Sequence, residues 1–101
     1  MIEVRKTAVF LAWFDGLKDL RARARIQVRI DRLGLGNAGD AKPVGAGIGE
    51  MRIDYGPGYR VYFVQRGKLL VILLCGGDKS TQPADIKHAK TMWEAIKEEL
   101  S

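Results

Sequence analysis

The chain has 101 residues, and its 17 lysines and arginines outnumber 12 acidic residues to give a net charge of +5. This length favours one domain spanning residues 1–101, and no stretch approaches the ~20 apolar residues that a membrane-spanning helix needs. Glu3 and Asp15 interrupt the order of regions that a signal peptide would show, so we expect a cytoplasmic protein with a phosphate-rich partner and no membrane association.

The N-terminal part predicts a short edge strand followed by a helical hairpin. Residues Ile2–Arg5 alternate as a strand does, and Thr7 is placed to cap a first helix whose apolar residues recur at helical spacing. Gly16 interrupts that helix, and a second helix is predicted over about Lys18–Leu33, where a glycine-rich stretch follows.

The second predicted helix carries a row of basic residues within an arc of about 80°: Arg21, Arg25, Arg29 and Arg32. Apolar residues on both sides of this row predict a helix that buries two sides. No acidic residue lies four positions before any of these arginines, so they repel one another. The row is either a solvated face or a surface that contacts nucleic-acid phosphates or an acidic partner.

Residues 34–49 contain six glycines, and we expect a flexible loop that carries Lys42 at its rim. The order of residues typical of a phosphate-binding P-loop is absent from it. Three strands of an antiparallel meander follow, with a glycine-proline turn between the first two and the chain leaving the sheet at Gly76–Lys79: Ile48–Tyr55, Tyr59–Arg66 and Leu69–Cys75. The third strand is apolar on both faces and is expected to be central. A final helix is predicted over about Pro83–Leu100.

This order, β-α-α-β-β-β-α, predicts an α+β fold rather than an alternating α/β fold. We expect the helical hairpin to cover one face of the sheet and the other face to stay open, at least in part. If the apolar residues of the first two meander strands share the covered face, the pleat places Arg52, Arg60 and Tyr62 together on the open face. Lys79 follows just beyond the third strand.

Few carboxylates are expected on that open face, so its cations favour a polyanion. The alternative is cross-strand pairing of Arg52 and Arg60 with Glu50, Asp54 or Asp78 at an ordinary sheet surface. A chain with one cysteine and one histidine offers no usual zinc cluster, and we expect no metal and no cofactor. Cys75 is expected to be a small core residue.

A cation cluster of this kind suits RNA cleavage without a metal, because RNA carries its own nucleophile, the 2′-hydroxyl group. Guanidinium groups stabilise the charge that grows on the phosphoryl oxygens in the transition state. Proton transfer has three candidates, Lys79, Tyr62 and Asp78, and no spacing decides among them.

Three stretches carry a resemblance to a known family: Phe14–Asp19, Met51–Tyr62 and Leu74–Gln82. They resemble the RelE/ParE/HigB superfamily of toxins from bacterial type II toxin–antitoxin modules, in particular its phage-related Gp49-like or HigB-like branch, the addiction module killer proteins. The resemblance implies a RelE-like fold, a ribosome-dependent mRNA endonuclease, and binding to mRNA, to the ribosome and to a cognate antitoxin, expected to be a helix-turn-helix protein.

By position, Arg52 and Arg60 match basic strand residues that bind the scissile phosphate in that superfamily, and Lys79 matches a basic residue after the last strand. Lys42 is a candidate match for a lysine that precedes the meander. The C-terminal tyrosine used by some members has no clear counterpart. Two other functions stay open: a ParE-like inhibitor of DNA gyrase, and a nucleic-acid-binding module without catalysis.

Overall fold

The computed structural model describes residues 2–100, which form one five-stranded sheet and three helices. The elements, in chain order, are β1 (Glu3–Lys6), α1 (Ala8–Asp15), α2 (Leu20–Gly34), β2 (Ala41–Gly45), β3 (Ile48–Ile53), β4 (Tyr59–Arg66), β5 (Leu70–Asp78) and α3 (Gln82–Leu100). A short 3-10 turn, Lys79–Thr81, joins β5 to α3. The α+β class and the predicted helical hairpin and C-terminal helix are confirmed. No helix within residues 2–100 has the length and apolar character that crossing a bilayer requires.

The sheet has the strand order β1-β5-β4-β3-β2, in which β2 to β5 are antiparallel neighbours and β1 pairs in parallel with β5. The predicted meander is therefore present, with one additional strand at its edge. Strand β2 lies inside the segment that was expected to be a loop, so that expectation was wrong for residues 41–45. Pro43 and the surrounding glycines argued against a strand, but a proline is tolerated on an edge strand because one side of it needs no hydrogen-bond donor.

Strand β5 continues further than the sequence predicted. Gly76 and Gly77 pair with Val61 and Arg60 of β4 and do not leave the sheet. A Cβ atom on Gly76 would lie 2.3 Å from the Trp13 ring, so glycine at this position lets α1 approach the strand closely. The glycines were interpreted as an exit from the sheet, whereas one of them is a site of close packing. The apolar sequence of β5 predicted the central strand, but the central position belongs to β4, and β5 is an interior strand between β1 and β4.

The sheet is packed on both faces. On one face α1 and α2 cover a core that includes Phe10, Ile26, Met51, Val61 and Leu73. On the other face α3 places Ala89 and Trp93 against a second group of buried side chains: Ile48, Tyr62, Val64, Ile72, Leu74 and Cys75. The face expected to be open is thus covered over part of its length by α3.

Helix α2 buries one side, not the two that its apolar residues predicted. Its buried residues are Ala22, Ile26, Ile30 and Leu33. Leu20 and Val28, on the second apolar side, are 72% and 46% exposed. The periodicity identified the helix correctly, but only one neighbouring layer, the sheet, is available to cover it.

The helix caps connect the helices to their surroundings. The Thr7 hydroxyl accepts a hydrogen bond from the Phe10 amide at 3.0 Å and donates one to the Leu74 carbonyl at 2.6 Å, so the predicted cap also ties α1 to β5. Asp19 caps α2 and accepts a hydrogen bond from the Tyr55 hydroxyl at 3.0 Å. This second contact fixes the segment that follows β3 against the start of α2.

The two-residue turn between β2 and β3 generates a stability prediction. Ala46 and Gly47 have φ values of 56° and 81°, as the type I′ hairpin turn requires. Ala46 is strained there because its Cβ atom disfavours the left-handed region, so Ala46→Gly should stabilise the protein by about 0.5–1 kcal/mol. Thermal unfolding followed by circular dichroism should show a higher Tm, and the matched change Gly47→Ala should lower it. A lower Tm for Ala46→Gly would contradict the turn geometry.

Candidate active site

The three cations that the sequence singled out line one polar cleft of about 370 Å³ at the end of the sheet. Arg52 and Arg60 are directly opposite each other in the β3–β4 pairing, which places their side chains on the same face. Lys79 begins the 3-10 turn after β5 and borders the same cleft. Two exposed carboxylates, Asp40 and Asp54, also border the cleft. The end of β3 and the turn that leads to β4 complete it with Ile53, Gly56, Pro57 and Gly58.

Arg52 forms an ion pair within this cleft. Its Nη2 donates a hydrogen bond to Asp40 Oδ1 at 3.1 Å, and both side chains are partly exposed to solvent. The Asp40 carbonyl also accepts a hydrogen bond from the Arg52 amide at 2.9 Å. An exposed pair of this kind contributes about 0–1 kcal/mol, so an incoming phosphate can replace the carboxylate at little cost.

Arg60 is held in a different environment. Its side chain is only 13% exposed, and its Nε lies 4.0 Å from Oε1 of Glu50, which is fully buried. The other Glu50 oxygen, Oε2, accepts hydrogen bonds from the Tyr62 hydroxyl at 3.2 Å and from Gln82 Nε2 at 2.7 Å. Both arginines therefore have a carboxylate nearby, and the expectation of a face almost without carboxylates was wrong.

Tyr62 shares the sheet face with both arginines, but its side chain is fully buried beneath α3. Burial, and next to it the charge of Glu50, raises the pKa of the Tyr62 hydroxyl well above its usual value. Its hydroxyl donates to Glu50 and does not border the cleft. Tyr62 therefore contacts Glu50 beneath the cleft. Its hydroxyl does not reach the cleft, so it has no direct contact through which to transfer a proton to a ligand there.

Asp78 is the last residue of β5 and caps the 3-10 turn. Its Oδ1 accepts hydrogen bonds from the amide and the hydroxyl of Ser80, and the hydroxyl bond is the larger cause of a lowered Asp78 pKa. The Asp78 carboxylate is therefore ionised at neutral pH, and its Oδ1 atom is already hydrogen-bonded within the turn. By fixing the turn, Asp78 sets the position of Lys79.

The arginines of α2 are divided between two roles. Arg25 and Arg32 border a second cleft of about 280 Å³, which shares Ile53 and Asp54 with the first. Arg29 also borders it, but its guanidinium group donates hydrogen bonds to three carbonyl oxygens, those of Ala38, Asp40 and Arg52. Arg29 thus fastens β3 and the preceding loop to α2, which leaves few of its N–H groups for a phosphate.

The other three arginines of the predicted row are exposed. The guanidinium group of Arg25 lies 4.7 Å from the centre of the Tyr55 ring, a distance typical of a cation–π contact. Arg21 lies one turn earlier on the same helix and is exposed. Arg21, Arg25 and Arg32 therefore extend the positive surface away from the first cleft along α2.

Lys42 lies apart from this cluster. It is exposed on β2, opposite Glu50 in the β2–β3 pairing, and borders a separate hollow with Pro43, Gly49 and Phe63. Within residues 2–100 no three histidine, cysteine or acidic side chains are grouped as a metal site would require. Cys75 is buried in the α3 core, and burial raises the pKa of its thiol to about 12.

Three residues of the site were missed or assigned differently by the sequence. Asp40 lies in the glycine-rich segment, which offered no periodic pattern from which its partner could be identified. Glu50 alternates with Met51 along β3, so its face was predictable, but its burial depends on the position of α3. Gln82 ends the third stretch that carries the family resemblance, but nothing in the sequence indicates that it contacts Glu50.

Comparison with known proteins identifies a family and a relative. The family model described as phage-derived protein Gp49-like (DUF891) matches residues 12–99, a range that includes the whole cleft. An uncharacterized protein of Haemophilus influenzae is 56% identical over 95 residues, which cover 94% of this chain and 96% of that protein.

The bonds of Arg29 generate a prediction that separates a structural from a ligand-binding arginine. Arg29→Ala removes the donor for three carbonyl oxygens and should lower the free energy of unfolding by about 2 kcal/mol. Arg32→Ala, one turn further along the same edge, should change it by less than about 0.5 kcal/mol. Urea unfolding measures both values. Equal stability of the two variants would contradict the structural role of Arg29.

Proposed function

Because the chain belongs to the phage-derived Gp49-like family, which is associated with the toxins of toxin–antitoxin modules, we propose that it is a ribosome-dependent mRNA endonuclease with a RelE-like fold. Family membership also implies an antitoxin partner. The proposal about catalysis rests on one observation, the convergence of Arg52, Arg60 and Lys79 on a single cleft.

Three cations in one cleft suit the cleavage of an RNA phosphodiester by its own 2′-hydroxyl group. As that oxygen attacks the adjacent phosphorus, negative charge grows on the non-bridging oxygens, and two neighbouring guanidinium groups can bind them. Fixed donors of this kind each stabilise a transition state by about 2.7–4 kcal/mol. The site needs no metal for this step, because the arginines supply the positive charge.

Proton transfer is assigned to groups that border the cleft. The ammonium group of Lys79 borders the cleft and would donate a proton to the leaving 5′-oxygen. The exposed carboxylates of Asp40 and Asp54 are available to accept the proton of the 2′-hydroxyl. Tyr62 and Asp78, the other candidates from the sequence, support this arrangement through Glu50 and through the 3-10 turn.

The α2 arginines extend the interface beyond the scissile phosphate. Arg21, Arg25 and Arg32 would contact the backbone of ribosomal RNA while the message occupies the cleft. The two clefts share Ile53 and Asp54, so one nucleic-acid surface can run from α2 to Lys79. The antitoxin is expected to be a helix-turn-helix protein that blocks this surface.

The decisive variant is Arg60→Ala. Expression of the unaltered chain from a tightly controlled promoter should arrest growth, and primer extension should show cuts only in messages that ribosomes are translating. Arg60→Ala should lower cleavage by about 100- to 1,000-fold, because a donor to the transition state is lost. Lys68→Ala removes the same charge from the exposed turn before β5 and should leave cleavage unchanged.

The other outcomes decide between functions. Growth arrest with intact messages and trapped gyrase complexes would favour the gyrase inhibitor over the endonuclease. Binding of RNA without growth arrest would favour a module that lacks catalysis. Full activity of Arg60→Ala, with its fold verified by circular dichroism, would exclude the proposed role of the cleft.

A further inference from the structure

Glu50 is the one charged side chain within residues 2–100 that is completely buried. An ionised carboxylate without water is costly, and it is retained only where hydrogen bonds and a counter-charge compensate it. Two donors, the Tyr62 hydroxyl and the Gln82 amide, both serve Oε2. The carboxylate is thus compensated on one side, by a residue of β4 and by the first residue of α3.

The second oxygen of Glu50 faces the cleft arginine. Oε1 is buried and has no hydrogen-bond partner within the described chain, and the same is true of Arg60 Nε. These two atoms lie 4.0 Å from each other, so each is the nearest compensation available to the other. A shift of roughly 1 Å would convert this ion pair into a hydrogen bond of normal length.

The ion pair places the Nε end of the Arg60 guanidinium group beside a buried negative charge. The Glu50 carboxylate is held in place by two donors and cannot move when a ligand binds. The Asp40 carboxylate next to Arg52 is exposed and can move aside. Arg60 therefore keeps its partner while a phosphate binds. Its remaining N–H groups are left for the cleft.

We propose that Glu50 is a positioning residue, which acts through Arg60 and holds its guanidinium group in the orientation that phosphoryl transfer requires. Gln82 extends this support to α3, so docking of the last helix and orientation of the cleft arginine are linked. The inference deepens the proposed function and rests on it.

A positioning role predicts opposite effects on binding and on turnover. Glu50→Gln keeps the size of the side chain but removes the charge that orients Arg60. Cleavage should fall by about 10- to 100-fold, because a small misplacement of a catalytic group slows the reaction by such factors. Binding of inorganic phosphate should tighten by about two- to fivefold, because Glu50 no longer neutralises part of the charge of Arg60. A merely structural defect would weaken both.

The experiment uses the full chain with ¹⁵N-labelled arginine. The Nε–H signal of Arg60, assigned by its loss in Arg60→Ala, should shift in Glu50→Gln. Titration with inorganic phosphate gives the Kd of each variant for this anion. In a double-mutant cycle, Glu50→Gln should have no further effect on phosphate binding or on cleavage once Arg60 is alanine. Equal effects of Glu50→Gln with and without Arg60 would overturn the proposal.

Two further variants keep the result unambiguous. Glu94→Gln removes an exposed carboxylate from α3 and should leave the Arg60 signal and cleavage unchanged. Gln82→Ala removes one donor to Glu50 and should shift the same signal in a folded protein; if Glu50→Gln fails to fold, this variant decides. An unmoved Arg60 signal in Gln82→Ala would then refute the link between Gln82 and Arg60.

If the unaltered chain cuts no message, the proposed endonuclease function is wrong. The Arg60 signal and the double-mutant cycle of phosphate binding would still test whether Glu50 orients Arg60.

Discussion

The structure of the site depends on the register of β3 against β4, which sets two arginines side by side. Like charges directly opposite each other destabilise a sheet by some tenths of a kcal/mol. The same register buries Met51, Ile53 and Val61 on the other face, and each such side chain contributes about 1.5–3 kcal/mol. A slip by one residue would move all three to the opposite face and out of this core. Hydrophobic burial therefore outweighs the repulsion and holds Arg52 and Arg60 together without any ligand.

Two carboxylates moderate that repulsion in different ways. Asp40 is exposed and pairs with Arg52, and solvent screens this pair so that it can open. Glu50 is buried and bound by two donors, so its charge stays beside Arg60. Arg52 is thus free to exchange its partner, whereas the partner of Arg60 is buried and fixed. This asymmetry is what a site needs if it is to bind an anion loosely and orient it well.

The sequence predicted those parts of the structure that follow from local alternation and capping. Strand β4 and the shared face of Arg52 and Arg60 follow from period-two patterns, and Thr7 from the chemistry of helix caps. Strand β2 was missed because glycine and proline signal loops, whereas an edge strand tolerates both. The burial of Glu50 and the partners of Arg29 depend on how distant elements pack. Side chains of identical type therefore take different roles, and no local pattern distinguishes Arg29 from Arg25.

The position of α3 explains why the cleft lies at one end of the sheet. Its buried residues Ala89 and Trp93 pack over Ile48, Val64 and Leu74, so the helix covers one end of the β3–β4 pair and leaves the other to solvent. Its first residue, Gln82, reaches Glu50, and the turn just before it carries Lys79. Undocking α3 would therefore withdraw Lys79 and the support of Glu50 together, while the strand register would keep Arg52 opposite Arg60. The last helix completes a site whose two central charges are already set by the sheet.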